Sequence, residues 1–158
     1  MEKKKRNGNR NYKEFVVDSS IVAKWFLNEE GTDIAITIRD KFATNQIKLS
    51  VPTLLFYEVM NALRFSGSFR EGDLDIIVRS LSDYQFEIWR PVGRLLELST
   101  KLSLKEDLTV YDACYIGLAL RKGSRVVTED RELLEKFPRS TLSLDQYKEE
   151  TMSRFSST

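Results

Sequence analysis

Short runs of β-branched and aromatic residues alternate with longer stretches of helical period along almost the whole chain, and this alternation constrains the fold more than any other property. Phe15-Val16-Val17 reads as a buried strand, and Asp18-Ser19-Ser20 is a helix-start signal followed by Ile21, Val22, Trp25 and Phe26 at helical spacing. Gly31 ends that helix. Thr32 or Asp33 is placed to cap the next, with Ile34, Ile38 and Phe42 on one face. Ile47, Leu49 and Val51 alternate with polar residues as a strand closed by Pro52, and a helix runs from about Thr53 to Phe65. Leu74, Ile77, Val78 and Leu81 mark another amphipathic helix, Phe86 to Trp89 a strand, and Leu95, Leu96, Leu98 and Leu102 a further helix. Val110 to Arg121 is helical up to Gly123, Arg125 to Thr128 is a strand, Asp130 to Lys136 a short helix, and Thr141 to Leu144 a last strand. Strands and helices joined by a few residues predict an α/β fold: a sandwich with a mostly parallel central sheet.

The chain has 158 residues, the size of one domain. Residues 1–14 read as a basic arm, 15–150 as the single domain and 151–158 as a frayed tail. The net charge is +1, but the arm carries +4 and the other residues −3. A basic arm on an acidic body suits a polyanionic partner, and a solvated tail that touches nothing explains it as well. No stretch approaches the apolar length of a membrane span and no signal-peptide pattern opens the chain, so a cytoplasmic protein is expected.

Histidine is absent and Cys114 is the only cysteine. Ser-His-Asp and Cys-His nucleophile systems are thereby excluded, as are imidazole–thiolate zinc sites. Chemistry at neutral pH must then use carboxylates, Lys, Tyr, hydroxyls or a metal. A metal held by oxygen alone points to Mg²⁺ or Mn²⁺.

Four acidic residues sit oddly in their surroundings. Asp18 lies at the carboxyl end of the first strand, where open α/β sheets place their ligand crevice, although a helix N-cap would also account for it. Glu58 falls on a face shared with Leu54, Leu55 and Ala62, a costly place for a carboxylate unless it is paired with an Arg or bound to metal. Asn61, one turn on, is placed to join it. Asp112 follows Thr109 at capping-box spacing, with Asp where Glu or Gln is preferred. Asp130 follows Thr128 at the end of a strand, and a plain N-cap is its ordinary role. In a parallel sheet, positions past strand ends and at helix starts can converge at one end, and the four acids are expected to do so. Crowded carboxylates repel, and a divalent cation relieves the repulsion.

The run Val17-Asp18-Ser19-Ser20, Glu58 with Asn61 in a Leu-rich helix, Thr109-Val110-Tyr111-Asp112-Ala113 with Tyr115, and Val127-Thr128-x-Asp130 together resemble the PIN domain, most nearly its VapC-like toxin ribonucleases. The resemblance covers about residues 15–145. It implies a Rossmann-like α/β/α sandwich and Mg²⁺- or Mn²⁺-dependent cleavage of single-stranded or looped RNA. On that resemblance Asp18 and Asp112 are direct metal ligands, Glu58 a ligand or the group orienting the attacking water, and Asp130 a ligand through water. Ser20 and Thr128 match supporting polar positions. A homodimer silenced by a small antitoxin inserted into the acidic groove is also implied. The arm departs from the family pattern, and Lys24, Arg64 and Arg131 are candidates for a phosphate-binding rim.

Two other readings compete. An adhesion module needs Asp-x-Ser-x-Ser, and the fifth position here is Val22. An inactive PIN-like scaffold that binds RNA or protein without cutting would carry the same fold. Phosphate-binding Gly-rich loops of the nucleotide-switch and dinucleotide types are absent.

Overall fold

Five parallel strands form the centre of the computed structural model, which describes residues 12–152. They are β1 (Lys13–Val17), β2 (Ile47–Pro52), β3 (Glu87–Trp89), β4 (Arg125–Val127) and β5 (Thr141–Leu142), in spatial order β3-β2-β1-β4-β5. Every neighbouring pair is parallel, with Phe15 opposite both Leu49 and Arg125. Val16, Val17, Leu49, Val51, Val126 and Val127 are buried, as expected for central strands covered on both faces.

Parallel neighbours need crossover connections, and the helices supply them. α1 (Ser19–Ala23) and α2 (Thr32–Ala43) join β1 to β2; α3 (Leu54–Phe65) and α4 (Glu71–Asp83) join β2 to β3. α5 (Arg94–Glu106) and α6 (Val110–Lys122) lead to β4, α7 (Arg131–Lys136) to β5, and α8 (Leu144–Met152) follows. Right-handed crossovers running first toward β3 and then back toward β5 put the two sets of helices on opposite faces. The packing agrees: α1 lies on α3, α3 on α4 and α2 on α8, whereas α6 packs on α5 and on β1, β2 and β4. The result is a three-layer α/β/α sandwich with an all-parallel sheet.

α6 is buried without a break from Ala113 to Ala119, because it lies between the sheet and α5. Gly117 permits the close approach: a Cβ there would stand 3.2 Å from Ser99 Oγ of α5. On the other face, Trp25, Phe42, Tyr84 and Phe86 form an aromatic cluster, with Trp25 and Phe86 stacked at 5.9 Å between ring centroids.

Several boundaries differ from expectation. β1 begins at Lys13, two residues inside the segment read as the arm, and α8 runs to Met152, two residues into the segment read as the tail. Residues 1–11 and 153–158 lie outside the described residues. α1 stops at Ala23, and Trp25 and Phe26 lie in the turn after it, where Trp25 joins the aromatic cluster. α2 starts after Gly31, in the left-handed region at φ 81°, so neither Thr32 nor Asp33 is its N-cap. Leu144 opens a helix instead of ending a strand; it packs against Gly31, where a Cβ would meet its Cδ1 at 2.7 Å. Val78 and Leu96, expected on buried faces, are exposed. Among the described residues no helix is long and apolar enough to cross a membrane.

Candidate active site

The strand order reverses between β1 and β4: β1 is followed by its neighbour β2, while β4 is reached only after β3. Such a switch point opens a crevice at the carboxyl ends of the two strands, and Asp18 and Thr128 are the first residues past them. The Asp18 N–H donates to Val127 O at 3.1 Å, which ties the two strand ends together.

Asp18 occupies the N-cap position of α1 with extended φ and ψ, yet its side chain makes no capping hydrogen bond. Its carboxylate accepts instead from three hydroxyls: Ser19 Oγ on Oδ1 at 3.2 Å, and Ser20 Oγ at 3.2 Å and Thr128 Oγ1 at 2.6 Å on Oδ2. The side chain is nearly enclosed, at 8% exposure, and burial pushes its pKa up while the Thr128 hydroxyl, the Ser19 backbone N–H and the two serine hydroxyls pull it back. A carboxylate held in this way is not serving the helix end.

Glu58 projects from α3. The buried stripe of that helix is Leu55, Val59 and Leu63, so Glu58 lies at its edge, half-buried, and Ala62 is exposed. The stripe is turned from the expected Leu54–Leu55–Glu58–Ala62 face because α3 packs on both α1 and α4. Tyr115 Oη donates to Glu58 Oε2 in place of the Arg partner a buried pair would supply. Burial, with the charges of Asp18 and Asp112, raises the Glu58 carboxyl to about 7 against the pull of the Tyr115 and Ser19 hydroxyls. Three of the four predicted acids are thus brought into one electrostatic neighbourhood.

Asp112 is the third residue of α6. Thr109 is the N-cap: its Oγ1 accepts from Asp112 N at 3.1 Å and donates to Asp112 Oδ2 at 2.5 Å. The reciprocal bond of a capping box, to the Thr109 backbone, is replaced by one to the hydroxyl, which fixes the carboxylate's direction.

Asp130 does what its ordinary role predicts. Its Oδ1 caps α7 by accepting from Leu133 N at 3.0 Å. It is nonetheless linked to the site, since its own N–H donates to Thr128 Oγ1 at 3.0 Å and Thr128 in turn holds Asp18. Ser20 bridges in the same direction, accepting from Glu129 N at 3.4 Å. Asn61 is exposed and lines the neighbouring α3–α4 groove with Phe56, Tyr57, Met60, Arg64 and Leu74.

Among the described residues no group of three His, Cys, Asp or Glu side chains is arranged to hold a metal ion. Of the rim candidates, Lys24 is engaged by Glu29 at 2.8 Å and the Glu30 carbonyl at 2.9 Å. Arg64 lies over the Phe65 ring, and Arg131 lines a mixed-charge pocket with Lys24, Glu30, Glu129 and Lys148. The sequence reading gave no role to Ser19 or to Tyr115. The signal for Tyr115 was present: a phenol one turn past Asp112, on an otherwise apolar helix.

Comparison with known proteins agrees with this geometry. The PIN domain family model matches residues 15–139. Ribonuclease VapC3 of Pyrobaculum aerophilum is 32% identical over 128 residues, covering 78% of this chain and 94% of that protein. The crystal structure of PAE2754 from the same organism superposes with a TM-score of 0.62 at 27% identity, covering 89% of this chain and 95% of that one. A toxin–antitoxin complex from Klebsiella pneumoniae shares the fold, with a TM-score of 0.60 at 15% identity over 82% of this chain and 97% of the other. With Asp18 at the switch point, Glu58 within range of the charges of Asp18 and Asp112, and a family match spanning residues 15–139, the chain belongs to the PIN domain family.

Proposed function

We propose that this protein is a divalent-cation-dependent endoribonuclease and the toxin of a toxin–antitoxin pair. The observation that carries the reading is the convergence of Asp18, Glu58 and Asp112, close enough that the charges of the first and last help to raise the pKa of the second. The name ribonuclease borne by the Pyrobaculum relative supports RNA as substrate, and the Klebsiella complex supports an antitoxin partner.

The donor set fits Mg²⁺ or Mn²⁺: oxygen ligands only, mutual repulsion that a cation relieves, and hydroxyls that already orient Asp18. When bound, the cation supplies positive charge that steadies a phosphate in transit and eases the deprotonation of water. Asp18 and Asp112 would hold it, and Glu58 would complete the set or orient the water. Asp130, with one oxygen committed to α7, would act from outside, through water. Ser20, Thr109 and Thr128 keep the acids aimed. The α3–α4 groove, apolar and bordering the helix that carries Glu58, is suited to the antitoxin. A homodimer in the cytoplasm completes the reading.

Asp18→Asn and Asp112→Asn should each abolish cleavage of labelled RNA while circular dichroism stays native. Retained cleavage in both variants would overturn the proposal. The scaffold reading draws on the lack, among the described residues, of a ready three-acid cage, and it predicts no change in melting temperature on titration with Mn²⁺.

A further inference from the structure

Two of the three converging acids are tethered by their own neighbours in sequence: Asp18 by Ser19 and Ser20, Asp112 by Thr109. Glu58 is not. It is a long side chain at the edge of a helix face, and the charges of Asp18 and Asp112 oppose its own. Left to itself such a group gains rotamer freedom and hydration by turning outward. Two hydroxyls distant in sequence oppose this: that of Ser19, which also bonds to Asp18, and the phenol of Tyr115 on α6.

We propose that Tyr115 is a positioning residue: its buried phenol holds Glu58 on α3 in register with Asp18 and Asp112 by donating a hydrogen bond to Oε2. The inference rests on the metal-site reading above. The phenol is suited to the task because it cannot move. Tyr115 is 2% exposed and lies in the unbroken buried stretch of α6, clamped between the sheet and α5. It sits three residues past Asp112, so one helix fixes both Asp112 and the anchor of Glu58. The contact bridges 57 residues of sequence, and it couples the α3 acid to the α6 acid through a rigid element. A phenol can donate to a carboxylate, and Tyr115 does so from a buried, closely packed position. Its hydroxyl is buried and bonded to Glu58, so the role is exercised through Glu58.

The test is Tyr115→Phe, which keeps the ring and its packing and deletes the hydroxyl. Mn²⁺ binding is measured by calorimetry on the unliganded protein, and RNA cleavage is measured separately. The expected result is a Mn²⁺ Kd about 10-fold higher or more, and a comparable fall in kcat with KM for RNA little changed. In a Glu58→Gln background the same substitution should add nothing to either quantity, the signature of acting through that residue. 4-Aminophenylalanine at position 115, which retains a donor, should restore Mn²⁺ binding, and it keeps the test decisive if phenylalanine is not accepted in the core. Unchanged Mn²⁺ affinity and kcat in folded Tyr115→Phe would overturn the inference alone, as would an effect undiminished by Glu58→Gln. Wild-type protein that neither binds Mn²⁺ nor cuts RNA would overturn the functional reading, and the positioning role with it.

Discussion

Replacing Thr128 by valine removes a single oxygen from the centre of the site, and the cost can be worked from the contacts. Thr128 is fully buried; its hydroxyl donates to Asp18 Oδ2 at 2.6 Å and accepts from Asp130 N at 3.0 Å. A hydrogen bond to a charged group contributes about 1.5–3 kcal/mol, and an amide left without an acceptor in a half-buried position costs about 1 kcal/mol more. The isosteric methyl recovers some of this by apolar burial. The net loss should be about 2–4 kcal/mol, which for a chain of this length lowers the melting temperature by about 5–15 °C. Thr128→Ser is the control: it keeps the hydroxyl and loses one methyl, for about 1 kcal/mol. Urea unfolding of both variants at pH 7 with EDTA present reads the difference without interference from a cation. If valine proves no more damaging than serine, Asp18 is not held by Thr128 and the account of how the site is oriented fails.

Saturating Mn²⁺ should stabilise the wild-type protein, by about 2.7 kcal/mol at a hundred times Kd, seen as a rise of about 5–10 °C in melting temperature that is lost in Asp18→Asn. Leu63→Ala, at a fully buried position on α3, should cost about 2–5 kcal/mol in urea unfolding. Lys122 bonds to both Glu14 and Glu87 at 2.7 Å; burial pushes the Glu87 carboxyl up, but the bonds from Lys122 and Ser50 prevail and hold it below its ordinary value. A lowered carboxyl stabilises the fold above its unfolded pKa and loses that contribution as pH falls through the folded one, so Lys122→Met should flatten the acid limb of the stability profile.

Much of this was open to reading because period and punctuation agree along the chain. Phe15 to Asp18 could be placed as strand and strand end from three apolar residues followed by a helix-start triplet, and the structure puts Asp18 at the switch point. Gly123 ends α6 in the left-handed region, as its position after Lys122 suggested. The phase of α3 was not so readable. Leu54, Leu55, Glu58 and Ala62 make one acceptable face, Leu55, Val59 and Leu63 another, and contacts with α1 and α4 decide between them. α8 was missed because Leu142 and Leu144 alternate like a strand, while Leu144 in fact turns to pack on Gly31. For the acids, position along the chain could not separate cap from ligand: Asp18 and Asp130 both precede helices, yet only Asp130 caps. What differs is the supply of partners from elsewhere in the fold, above all Thr128, 110 residues from Asp18.

The central claim, that these carboxylates hold a divalent cation to cut RNA, is tested most directly by chelation. End-labelled RNA is incubated with the protein and Mg²⁺, then with excess EDTA, then with Mg²⁺ restored. The account predicts internal fragments in the first condition, none in the second and their return in the third. Cleavage that persists in EDTA, or none in any condition, would contradict it.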